Sequence, residues 1–169
     1  MITHPIDQVV LVLFAGLLLA AAAEDVRRLI IPNRYCLAIA LLFPAHVLAA
    51  TAPVDWLGAL VLASVTLAAG IALFALNLTG GGDVKLFAAA ALWVGPGLFR
   101  NFLLVTTLTG AGIALAMLTQ RRLTRAAAVA KGPAREAPPA VDPGQRAMPY
   151  GLAIAAGGIH VAVTLFLKG

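Results

Sequence analysis

Two aspartates stand where residue types and spacing point to chemistry. Asp83 follows three glycines in the run Leu78-Thr79-Gly80-Gly81-Gly82-Asp83-Val84-Lys85-Leu86. Three consecutive glycines permit backbone shapes that other residues resist and allow another chain to come close. They predict a break with an acid at the start of the next helix, where the helix dipole and free N–H groups favour a carboxylate. Taken alone, Asp83 reads equally well as a simple helix cap, with Lys85 an interfacial cation. Asp25 ends an earlier apolar run, in Glu24-Asp25-Val26-Arg27-Arg28-Leu29-Ile30-Ile31-Pro32-Asn33. Its plain reading is an interfacial acid balanced by arginines. Two carboxyls that share a proton can activate water and protonate a leaving group without a metal. Glu24 is adjacent but points about 100° away on a helix, and ranks below Asp25 as a partner.

The elements that must carry these residues are membrane helices. The 169 residues are 62% hydrophobic and 11% charged, with a mean hydropathy of +0.97. Soluble domains carry about 25% charged residues, so the fold class is an all-α membrane protein and the length suits one domain over 1–169. Six apolar segments are expected as transmembrane helices: about Gln8 to Ala23, Tyr35 to Ala50, Trp56 to Leu78, a short fourth at Val84 to Leu98, Phe102 to Thr119, and Tyr150 to Leu167. Each is near the roughly 20 residues that cross a bilayer. The fourth, at about 22 Å, needs local thinning of the bilayer to cross. The first run lacks the basic leader of a secretory signal and is expected to be retained. Gln120 to Ala147 reads as a flexible basic loop.

Lys and Arg distribution predicts orientation. The first connection holds three bases, the third one and the fifth six, so these hold ten of the twelve. With both termini outside, those connections and both aspartates face the cytoplasm. The net charge of +5 is therefore an orientation signal and a contact with anionic lipid, and no nucleic-acid partner is implied. A single Cys36 excludes an internal disulfide and a Cys-based zinc site. No metal and no cofactor are expected. Trp56 and Trp93 suit interfacial or packing roles, Asn77 and Asn101 suit bridges between helices, and His160 suits a packed or lumen-facing position rather than ligation.

With these residues in place, the chain resembles the type IV prepilin peptidase family. Gly80-Gly81-Gly82-Asp83 fits its GxGD motif, and Val84-Lys85-Leu86 matches the usual continuation. Asp25 with Ile31-Pro32-Asn33 looks like the first aspartate region, and Met148-Pro149-Tyr150-Gly151-Leu152-Ala153 is similar to the segment opening the last helix. The resemblance implies an aspartic endopeptidase that removes the leader of prepilin or pseudopilin substrates at the cytoplasmic face of the bacterial inner membrane. Asp25 and Asp83 carry over as the catalytic pair. Gly80, Gly82, Pro149, Tyr150 and Gly151 carry over as residues shaping the site, with Lys85 a candidate for electrostatic tuning. Lacking the paired cysteines of the bifunctional members, the chain looks like the short peptidase-only form of tight-adherence (Flp) pili, with no methyl donor implied. Two other classes are weighed: a presenilin-like intramembrane protease, and a transporter or secretion-assembly subunit using the acids as ion sites.

Overall fold

A computed structural model describes residues 5–50, 52–130 and 148–168, with side chains described up to 124 in the fourth helix. The described residues form five helices: α1 (Pro5–Arg28), α2 (Asn33–Ala49), α3 (Trp56–Ala75), α4 (Gly81–Ala130) and α5 (Tyr150–Lys168). The fold is all-helical. Four helices, all but the 17-residue α2, are long and apolar enough to cross a membrane, which gives the chain the character of a multi-pass membrane protein.

Local chemistry sets the helix ends. At the start of α3, Asp55 accepts a hydrogen bond from the Gly58 N–H at 2.9 Å, satisfying one of the donors that a helix start leaves free. At its end, Asn77 adopts φ 57°, and the amides of Asn77 and Leu78 donate back to Phe74 O and Leu73 O. This is a left-handed cap that closes the last carbonyls on themselves. Asn77, expected to bridge helices, therefore serves as a helix terminator. α1 stops in a similar way: Leu29 takes φ 53°, and Pro32 follows three residues later.

The expected fourth and fifth segments are the two arms of α4. Gly95 has φ 59° and ψ 174° and is followed by Pro96, so the backbone leaves the helix at the one residue type that tolerates that angle freely. The arms fold back on each other. The rings of Phe87 and Phe102 lie 5.0 Å apart, whereas 15 residues of unbroken helix would separate them by about 22 Å. The first arm begins at Gly81 rather than Val84, so two of the three glycines belong to its first turn. The second arm continues to Ala130. The first part of the stretch read as a loop from Gln120 is thus helical, and residues 131–147 lie outside the described residues.

α4 packs on α3, α5 and α2, while α1 packs on α5 and α2. The core runs through Phe14, Leu18, Ile39, Leu86, Phe102 and Ile154, all nearly inaccessible. Small residues set the close approaches. A side chain at Gly158 would meet Leu18, and one at Gly157 would meet Thr106 and Phe102, so α5 comes close to α1 and to the second arm of α4 only because both positions lack a Cβ. By contrast, α3 buries little beyond Ala59 and presents Val61, Val65, Ile71 and Phe74 outward, the expected surface of a helix in lipid.

Candidate active site

One end of the helix assembly gathers the residues singled out by their chemistry. The C-terminal end of α1, the start of α4 and the start of α5 meet around a cavity of roughly 760 Å³ lined by Asp25, Gly80, Gly81, Gly82, Asp83 and Tyr150. Asp25 is buried, at 5% exposure, and Asp83 is half-buried in the first turn of α4. The two carboxyls line this one cavity. They lie 58 positions apart in sequence on different helices, and their sharing of one cavity is a tertiary fact.

Asp25 is held by α5. The Gly151 N–H donates to its Oδ2 at 2.7 Å, one of the amides that a helix start leaves without an intrahelical partner. A Cβ at Gly151 would lie 2.8 Å from that oxygen and 3.0 Å from the Asp25 Cβ. Only glycine leaves room for the carboxylate to reach the amide. On the Asp83 side, a Cβ at Gly80 would stand 2.9 Å from Oδ2, and one at Gly82 would stand 3.1 Å from the Ile31 side chain. The glycine run thus lets α4 start directly against the segment that follows α1.

Glu24 is occupied elsewhere. Its carboxylate pairs with Arg28 Nε at 3.3 Å and faces Arg34 Nη2 at 3.9 Å, turned away from the cavity as the helical spacing required. Lys85 donates to Asn33 Oδ1 at 3.0 Å, tying α4 to the start of α2 at an exposed position. It does not line the cavity. Tyr150 does, and its ring packs where a Cβ at Gly110 would be, 3.4 Å away. Pro149 sits just before α5, whose start is tightened by the Tyr150 N–H donating to Met148 O at 2.8 Å.

Beside Met148 of the segment that opens α5, the cavity wall includes residues without an obvious sequence signal: Leu29, Ile30, Leu73 and Thr79. They are apolar or small, and nothing in their type distinguishes them from lipid-facing neighbours. Asn33 was legible only as part of Ile31-Pro32-Asn33; its bond to Lys85 was not. A second, smaller cavity of about 240 Å³ adjoins the first, sharing Leu73, Thr79, Asp83 and Tyr150 and lined further in by Gly70, Phe87 and Ile154. The site therefore joins two acids to an apolar recess between α3, α4 and α5.

The two histidines on α2 and α5 differ in setting. His160 is exposed on α5. His46, on α2, is buried and bonded to Asp7 at the opposite end of the helices. Among the described residues, no three His, Cys, Asp or Glu side chains gather as metal ligands. Cys36 is free and buried.

Residues 12–115 match the model of the type IV leader peptidase family. This stretch includes both aspartates and the glycine run and stops short of α5. No curated protein and no solved structure matches the chain.

Proposed function

The chain belongs to the type IV leader peptidase family, and on that premise we propose that it is an aspartic endopeptidase that cleaves the leader from prepilin-like substrates. Asp25 and Asp83 form the catalytic pair in this reading, and one observation carries it: a single cavity lined by both carboxyls. One carboxylate takes a proton from water as the oxygen attacks the scissile carbonyl. The other carboxyl delivers a proton to the carbonyl oxygen. Collapse of the tetrahedral intermediate then releases the new amine with a proton returned from the pair. No other reactant is required.

The rest of the machinery follows from the contacts. Gly151 orients Asp25 through its amide, Gly80 and Gly82 give the Asp83 turn its close fit, and Pro149 and Tyr150 set the start of α5 beside it. Lys85 acts at a distance, through Asn33 and the start of α2, rather than on the reacting atoms. The substrate reaches the acids from the bilayer, where a prepilin is held by its own apolar segment. The adjoining apolar recess suits such a chain.

In the membrane, the two arms of α4 count as separate crossings, which gives six with α2 as a short one. In this reading the aspartate end faces the cytoplasm of a bacterial inner membrane, an orientation supported by the ten bases at or beside the first, third and fifth connections. The test is co-expression with a prepilin carrying its leader, followed by N-terminal sequencing of the product. A processed pilin with intact enzyme, and unprocessed pilin with either aspartate replaced, is the expected result. Processing that persists without either aspartate would overturn it.

A further inference from the structure

Far from the aspartates, a part-buried polar pair lines another cavity, of about 460 Å³, together with Trp93 and Asp55. Asp7 lies in the first turn of α1 and His46 in the last turn of α2. Their side chains are 13% and 6% exposed, and Nδ1 and Oδ1 are 2.6 Å apart. The His46 ring stacks on Trp93 with centroids 5.2 Å apart and planes 21° apart. Trp93 in turn stacks on Phe14 of α1 at 4.2 Å and 6°, and its indole N–H donates to Ile39 O of α2 at 2.9 Å. His46 Nδ1, Asp7 Oδ1 and the Trp93 indole N–H each have a directed partner.

Its place in the fold gives it meaning. α1 carries Asp25 near one end and Asp7 near the other, about 27 Å away along the helix. The first arm of α4 carries Asp83 at its start and Trp93 just before the Gly95 break, about 15 Å further along. α1 packs chiefly on α2 and α5, and α4 on α3, α5 and α2. The two aspartate-bearing helices are therefore tied directly to each other by side chains at the Phe14–Trp93 contact, reinforced by Asp7 and His46 beside it. A burial of this kind is not the cheapest way to fill a core, since apolar residues of similar volume are often as stable or more so. What a hydrogen-bonded pair adds is direction and register, and ring stacking adds a preferred plane.

We propose that the Asp7–His46–Trp93 stack is a positioning device for the aspartate pair, fixing at the far ends of α1 and the first α4 arm the register in which Asp25 and Asp83 face one cavity. This rests on the peptidase reading given above for its consequence, though not for its geometry. The break at Gly95 gives the device a role that packing of α4 on α3 and α5 leaves open. At a residue free to rotate, the first arm could shift along its axis or turn relative to α1 unless something beyond the glycine held it. Asp7, His46 and Trp93 are positioning residues in this scheme and touch no substrate.

The experiment has two readouts. In a Cys36→Ser background, Asp25→Cys with Asp83→Cys reports the register directly, through cross-linking by a short bifunctional thiol reagent in membranes. His46→Phe keeps a ring on Trp93 and removes the bond to Asp7; it should lower that cross-linking yield at least severalfold. In the enzyme with both aspartates, His46→Phe should lower kcat about 10- to 100-fold with KM within about twofold, since misplacement of reacting groups acts on the chemical step. Asp7→Asn, whose amide oxygen still accepts from Nδ1–H, should keep most activity, whereas Asp7→Leu should reproduce the loss. If His46→Phe does not fold, Trp93→Phe, which loses the bond to Ile39 O and keeps a stacked ring, carries the same two measurements. Unchanged cross-linking in the variants overturns the proposal, as does an activity loss that follows only the amount of folded protein. If the parent enzyme cleaves no prepilin, the peptidase reading falls, and the cross-linking still decides the register.

Discussion

The backbone N–H of Gly151 donates to the Oδ2 of Asp25 at 2.7 Å, across 126 positions of sequence. That bond places the start of the last helix in the site as firmly as either aspartate. It also makes a glycine, which has no side chain to offer, one of the more sensitive positions in the molecule.

Gly151→Ala should therefore lower cleavage by at least about 100-fold, because the added Cβ meets the Asp25 carboxylate and its stem and must push them from place. Gly112→Ala should leave cleavage near the parent level, since a Cβ there meets nothing within 4 Å. Parallel rate measurements at equal membrane abundance check the contrast. Equal losses at the two positions would show a general intolerance of the helices rather than a local clash.

The aspartate pair should behave as a unit. Asp25→Asn and Asp83→Asn preserve size and much of the hydrogen bonding while removing ionisation. Each should cut prepilin cleavage below about a thousandth of the parent rate, and the double variant should be no worse, because groups acting together are non-additive when removed. Glu24→Gln should keep most activity, since that carboxylate is engaged by Arg28 and Arg34. Cleavage assays on purified membranes decide it. Modest, additive losses that follow protein abundance would assign the two aspartates a structural role only.

Orientation is open to chemical labelling. In a Cys36→Ser background, Arg27→Cys should be shielded from an impermeant thiol reagent in intact cells, and Pro53→Cys should react. Labelling of the first from outside would reverse the membrane sidedness and with it the face on which the substrate is cut.

Independence from metal and thiol chemistry is expected from a carboxyl pair acting on water. Detergent-solubilised enzyme should retain activity through strong chelation, and Cys36→Ser should cleave within about twofold of the parent. A chelation loss restored by added zinc would sink the two-carboxylate mechanism.

Much of this was legible in the chain read as a string, and the limits of that reading have physical causes. Apolar runs near the length of a bilayer crossing impose helices on any such sequence, because a backbone in lipid must satisfy its own hydrogen bonds. Three glycines before Asp83 mark a helix start, since glycine is the residue that a close-packed turn tolerates. The positions of the bases predict a face for each connection. These are local or additive properties, and composition along the chain determines them. What Gly95 does is different in kind. The reversal is expected from separate fourth and fifth segments, but its place is not: a Gly-Pro pair permits either a kink or a reversal, and the packing of Phe87 on Phe99 and Phe102 accompanies a turn at Gly95 rather than after Leu98. The same holds for His46, which by type and neighbours is an unremarkable histidine near a helix end; burial beside Asp7 and against Trp93 depends on three helices arriving together. Asp25 and Glu24 are adjacent acids of nearly equal chemistry in the sequence. Helical rotation, with arginines waiting on one side and the Gly151 amide on the other, is what separates an ion pair from a buried carboxylate facing a cavity.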